Sequence, residues 1–316
     1  MLSRRLLTSF VLLIWCAVPS IGQLPKRLER CLPNPTLAQE IRDMQKEVEP
    51  QKITLTIVSV EFDEKSAIPA DLQDEINAEL RRGTFEEDAD SDYLKEAAGE
   101  IAEVGVRGPL QDRGYFRVLP SAKLKVLKAE GADIQVAATV SAELGPQYWS
   151  GEIQFVTADP NKSLSQAPEV LRRLIPLERG DLFSVDALRE GLRNLTRLYG
   201  KEGYIDMTAE PEFDITESTH IIDMTFRIDE QKRYWVGQIE ILGLDELAKE
   251  QFLNSLPQPG ETFDREKLEE SFKKNKTVLP VDASPYEDVQ VHRRTKEGKV
   301  SLLFDFRPCP GQTEIK

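Results

Sequence analysis

Along the middle of the chain, apolar and polar positions change period in a fixed order. Trp149, Gly151, Ile153 and Phe155 alternate with Ser150, Glu152 and Gln154, and this period of two predicts a half-buried strand. Over Pro168 to Leu177, the residues Val170, Leu171 and Leu174 fall on one side of a short helix. Val185, Leu188, Leu192, Leu195 and Leu198 then recur every three or four residues, the stripe of an amphipathic helix. Ser184 is placed to cap it, and Gly200 and Gly203 to end it. Two alternating runs follow: Ile205, Met207 and Ala209, resuming at Phe213, and then Ile222, Met224, Phe226 and Ile228. The predicted order is β-α-α-β-β.

The same pattern occurs on both sides. Tyr148 to Phe155 recurs as Tyr234 to Ile241, 86 residues later. Gly180-Asp181-Leu182-Phe183, with Leu188 and Leu192, recurs as Gly260-Glu261-Thr262-Phe263 with Leu268 and Phe272, at an offset of 80. Arg113-Gly114-Tyr115-Phe116 matches Glu202-Gly203-Tyr204-Ile205 at an offset of 89. Three matches in one order define an internal repeat. The repeat divides the chain into units at 52–145, 146–232 and 233–308, between a linker or helix over 23–51 and a tail over 309–316. In the first unit, strands are expected over Ile53 to Phe62, Phe116 to Leu127 and Ile134 to Leu144, with helices over Ala70 to Arg81 and Ser91 to Leu110. The expected fold class is α+β, with tandem units that each place two helices on one face of a three-stranded mixed sheet. Each such core is small, and neighbouring units stabilise one another by contact.

Residues 1–22 carry a different pattern. Arg4 and Arg5 precede an apolar stretch from Leu6 to Val18, and Ser20-Ile21-Gly22 fits a cleavage site, so this segment is expected to be a removed secretory signal. At 13 residues the stretch is shorter than the roughly 20 that a spanning helix needs. Its removal takes away two arginines and moves the formal charge from −14 to −16. A chain this acidic is not expected to bind nucleic acid or an anionic membrane, both of which need clustered cations. Three cysteines in 316 residues exclude a disulfide-dense scaffold. Export leaves Cys31 and Cys309 as a candidate disulfide if the chain ends meet, and as two free thiols if they do not.

Candidate chemistry is sparse. His220 and His292 each fall in or beside a predicted closing strand without a second ligand at metal spacing. The acidic run Glu86 to Asp92 lacks the central Gly and terminal Glu of a calcium loop. No phosphate loop and no Gly-x-Ser-x-Gly is present, so no enzyme activity, cofactor or metal is expected.

The run Gly180-x-x-Phe183, Leu188, Leu192, Leu195, Leu198-Tyr199, Gly203-Tyr204, Phe226-x-Ile228, then Val236-x-x-Ile239-x-Ile241-x-Gly243 resembles a POTRA (polypeptide-transport-associated) domain passing into the next one. The first unit keeps Gly114-Tyr115 but has a longer, acidic helical region around Phe85 to Asp92; the third has Val281 to Tyr286 where the Gly-Tyr step would be. The resemblance implies a periplasmic arm of an outer-membrane β-barrel assembly or secretion system. Its implied partners are an outer-membrane β-barrel protein or assembly-complex subunit and unfolded polypeptide. It also implies binding by strand addition at the fourth element, here Ile205, Met207, Ala209 and Phe213, and Phe116 to Val126 in the first unit. Pro211 would limit the length of an added strand. Only ten residues follow Phe306, whereas a membrane barrel needs at least about eight strands, so the chain is expected to act as a free module or on another chain's barrel. A structural adaptor without substrate binding, or an exported enzyme with an unrecognised site, are the alternatives.

Overall fold

The computed structural model describes residues 52–89, 92–281, 283–286, 288–294 and 296–307. The signal, the linker over 23–51 and the Cys31–Cys309 pair lie outside the described residues. The rest forms three α+β units in a row, as the repeat predicts. Unit 1 contains β1 (Lys52–Phe62), α1 (Ala70–Leu80), β2 (Thr84–Asp88), α2 (Tyr93–Glu100), α3 (Arg107–Gln111), β3 (Leu119–Glu130) and β4 (Asp133–Glu143). Unit 2 contains β5 (Trp149–Thr157), α4 (Pro168–Arg172), α5 (Val185–Lys201), β6 (Thr208–Thr216) and β7 (Ile221–Asp229). Unit 3 contains β8 (Trp235–Leu242), α6 (Glu246–Ser255), α7 (Arg265–Lys274), β9 (Val289–Arg294) and β10 (Lys299–Asp305).

Every unit puts its last strand in the middle. The orders are β2-β1-β4-β3, β5-β7-β6 and β8-β10-β9, the first strand pairing parallel to the last and the hairpin strand antiparallel. The central strand is paired on both sides and carries the most regular apolar alternation, so its inward residues are the floor of each core. Ile222, Met224, Phe226 and Ile228 are buried in unit 2, as are Val300, Leu302 and Phe304 in unit 3. Burying a side chain of this size stabilises by about 1.5–3 kcal/mol. Helix α5 closes the second core with Val185, Leu188, Leu195 and Tyr199, and the Ser184 Oγ accepts from the Ala187 N–H at 3.1 Å as its cap.

Unit 1 departs from the expected sheet by one strand. Where an acidic helical region was predicted around Phe85 to Asp92, β2 pairs antiparallel with β1, from Thr56 opposite Thr84 to Lys52 opposite Asp88. Phe85 packs on the first core, and Lys52 pairs with Asp88. With one apolar residue among five, β2 owes its conformation to its partner rather than to its own pattern. The helix predicted over Ser91 to Leu110 is also interrupted, by a π-helical segment at Ile101–Val106.

The units are joined by one device used twice. Gly114 and Gly203, each followed by Tyr, accept at their carbonyls from the N–H of Tyr148 (2.8 Å) and Tyr234 (2.9 Å), which open the next unit. The Tyr148 and Tyr234 carbonyls in turn accept from Phe183 (2.9 Å) and Phe263 (3.0 Å). Both glycines have positive φ, 84° and 87°, and a Cβ on Gly203 would lie 2.6 Å from the Tyr234 carbonyl oxygen. Two residues later, Phe116 packs into the second core and Ile205 into the third.

Around this shared backbone the charges are reversed. Asp112, two residues before the first glycine, accepts from the Ser184 hydroxyl (3.0 Å) and the Asp186 N–H (2.8 Å). Arg117, three residues after it, pairs with Glu217 at 2.5 Å. At the second joint the same positions hold Lys201, paired with Glu266 at 2.7 Å, and Asp206, paired with Arg293 at 3.4 Å.

Candidate protein-binding edge

β6 ends the second sheet, and no strand lies beyond it among the described residues. Which backbone groups it leaves open follows from the far side of the sheet. Ile228 gives its carbonyl to the Ala158 N–H (2.8 Å) on the β5 side. Alternation then turns Asp223, Thr225, Arg227 and Asp229 toward β6, where they stand opposite Asp214, Glu212, Glu210 and Thr208. The residues between, Ala209, Pro211, Phe213 and Ile215, direct their backbone groups away from the sheet. Pro211 has no N–H and sits where a ladder needs none, which is the usual place for a strand proline. The open edge therefore offers the N–H groups of Ala209, Phe213 and Ile215 and four carbonyls.

The side chains of β6 divide by face. Ala209, Phe213 and Ile215 pack on the second core, Phe213 with its ring 5.9 Å from Phe116 and 6.1 Å from Phe183. Glu210, Glu212 and Asp214 are exposed. Glu212 pairs with Arg227 across the hairpin at 2.8 Å, and this hydrogen bond holds its carboxyl below the ordinary carboxylate range.

Of the four positions predicted for this edge, Ala209 and Phe213 are on β6, whereas Ile205 and Met207 precede it. The Met207 N–H donates to the Tyr204 carbonyl (3.1 Å), closing a turn, and Ile205 serves the joint to unit 3. The same correction applies to Phe116, which lies before β3 and packs into unit 2. In both units the apolar alternation runs through the turn without a break, so spacing alone merged joint and strand.

The hairpin strands of the two flanking units, β3 and β9, are sheet edges as well. Their exposed faces are basic, with Lys123, Lys125 and Lys128 on β3 and His292 and Arg294 on β9, against the acidic β6.

The residues weighed for catalysis lie apart. His220 has a positive φ of 54°, its carbonyl accepts from the Trp149 N–H (2.9 Å), and its ring meets Tyr148 at 5.4 Å. His292 is exposed on β9. Among the described residues no three His, Cys, Asp or Glu side chains group as a metal site would, and no helix is long and apolar enough to cross a membrane.

Residues 153–231 match the POTRA family model, described as "Surface antigen variable number repeat". This chain carries a POTRA domain. No curated protein matches it. Among solved structures, POTRA domains 3–5 of BamA from Haemophilus influenzae are similar with a TM-score of 0.54 at 14% identity, over 82% of this chain and 98% of that one. POTRA domains 1–3 of Omp85 from Anabaena give a TM-score of 0.31 at 14% identity, over 82% of this chain and 97% of that one. CdiB from Escherichia coli gives 0.21 at 11% identity, over 66% of this chain and 36% of that one. The BamA likeness extends the POTRA fold beyond the residues that the family model matches. Unit 2 is thus a POTRA domain whose hairpin edge is open.

Proposed function

We propose that this POTRA protein acts in outer-membrane protein assembly or secretion, as a non-enzymatic periplasmic arm that binds extended polypeptide by strand addition to β6. The POTRA domain over 153–231 supports the setting. The observation that carries the mechanism is the open edge of β6, where the N–H groups of Ala209, Phe213 and Ile215 and the carbonyls between them face outward. Backbone hydrogen bonds of this kind are tolerant of sequence, which suits a partner that arrives unfolded. Pro211 breaks the row of donors, so an added strand is held in two short stretches rather than one long one.

The test is a titration of the isotope-labelled protein with an extended amphipathic peptide. Shifts should concentrate in Thr208–Thr216, and replacing Ile215 by Pro, which removes an outward N–H without removing a ladder bond, should weaken binding several-fold. Shifts elsewhere, or an Ile215→Pro variant that binds unchanged, would sink the proposal. A second reading, an adaptor that holds neighbouring complexes at a set spacing, draws support from the twice-used joint at Gly114 and Gly203. It is favoured if binding leaves β6 untouched and tracks the integrity of the joints.

A further inference from the structure

Units 2 and 3 share a bulge in their first strands. The β5–β7 register shifts between Ser150 and Ile153, and the β8–β10 register shifts at the corresponding place, between Val300 and Leu302. In unit 2 the bulge is closed from within. Asp223 Oδ1 accepts from the Glu152 N–H at 2.6 Å, and a Cβ on Gly151 would lie 2.0 Å from that oxygen, so residue 151 leaves room for the carboxylate.

Unit 3 keeps the glycine and lacks the acid. Gly237 and Gln238 stand where Gly151 and Glu152 stand, and Ser301 replaces Asp223, its Oγ 3.5 Å from where a Cβ on Gly237 would be. No side chain accepts from the Gln238 N–H among the described hydrogen bonds, in contrast to Glu152. The neighbours have changed too. Ile221 and Thr216, opposite one another in unit 2, become Lys299 and Arg294 in unit 3. Like charges directly opposite across a ladder are unfavourable. Glu297 is the only acid beside them among the described residues lining this place, with an oxygen 3.7 Å from Lys299 Nζ. A cavity of about 540 Å³ opens here, lined by Trp235, Gly237, Gln238, Arg294, Lys299 and Ser301.

We propose that unit 3 binds an external carboxylate in this cavity, in the place that the Asp223 carboxylate fills in unit 2. The Gln238 N–H and the Ser301 hydroxyl donate to it, and Arg294 and Lys299 supply the charge. Trp235, 38% exposed, forms an apolar wall for the carbon skeleton. The carboxylate comes either from an acidic side chain of a peptide or from a small free acid. This site stands on the bulge of β8 and does not depend on strand addition to β6.

The experiment is an amide-shift titration of the whole protein with three probes: sodium acetate, an end-blocked extended peptide containing Glu, and the same peptide with Gln. Gly237 and Gln238 should shift with acetate and with the Glu peptide, and not with the Gln peptide. An affinity for the peptide more than about tenfold above that for acetate assigns the carboxylate to a peptide, and near-equal affinities assign it to a small acid. Ser301→Asp, which copies unit 2 and fills the cavity from within, should abolish both responses while the melting temperature is kept or raised. Arg294→Gln should weaken binding roughly tenfold. The proposal is overturned if neither carboxylate moves Gln238, if the Gln peptide moves it equally, or if folded Ser301→Asp still responds. Binding at β6 would be told apart by shifts at Ala209, Phe213 and Ile215 that survive Ser301→Asp.

Discussion

Gly203 and Tyr234 approach so closely that the glycine hydrogen is part of the joint. With φ at 87° and 2.6 Å between a would-be Cβ and the Tyr234 oxygen, Gly203→Ala must move either the turn or the next strand. A loss of about 1–3 kcal/mol is expected, read by urea denaturation. Gly114→Ala meets its Tyr148 oxygen at 3.0 Å and should lose less. Asp223→Ser should cost about 0.5–1.5 kcal/mol, the net value of a hydrogen bond whose exposed donor, Glu152 N–H, turns to water once the carboxylate is gone. The Ser184 cap and the Gly203 stop were legible, since both rest on local backbone chemistry. The role of Asp223 was not. Its acidic neighbour pattern reads as an ordinary exposed strand position, and only the register of β7 against the bulge brings it to Glu152.

At the scale of elements, the joints make the clearest forecast. Lys201 and Glu266 pair across the second joint, which lowers the carboxyl of Glu266 and raises the ammonium of Lys201, in each case mainly through their hydrogen bond. A depressed carboxyl stabilises above its unfolded value and loses that contribution as pH falls below about 4.5. A raised ammonium stabilises below its unfolded value and loses that contribution as pH rises beyond about 10.5. The joint should therefore be tightest between those limits and loosen on both sides, more so at low salt, where screening is weak. Reversing one partner, Lys201→Glu, sets two acids together and should broaden the interunit distance distribution in X-ray scattering. Adding Glu266→Lys should restore it. An unrescued double variant would count against the pair. The repeat itself was visible in the periods of the sequence, and so were nearly all its strands. β2 and the two joint residues Phe116 and Ile205 were not, because β2 depends on pairing with β1 and the joint residues continue an apolar alternation that belongs to the next unit's core.

Across the whole molecule, three POTRA-like sheets each leave their hairpin strand at an edge, and the exposed faces of those edges are basic, acidic and basic in order. The overall acidity of the chain, −14, gives no hint of that alternation, because it averages over units. If edges select partners by charge, an acidic extended peptide should favour β9 over β6, and raising the salt concentration should level the preference. The account turns on whether the β6 edge is free and used. Amide hydrogen exchange, residue by residue and with and without an extended peptide, answers both parts. The N–H groups of Ala209, Phe213 and Ile215 should exchange fast in the free protein, while those of Glu210, Glu212 and Asp214 are protected, and saturating peptide should slow the first three. Protection of Ala209, Phe213 and Ile215 without peptide, or no slowing with it, would contradict the account.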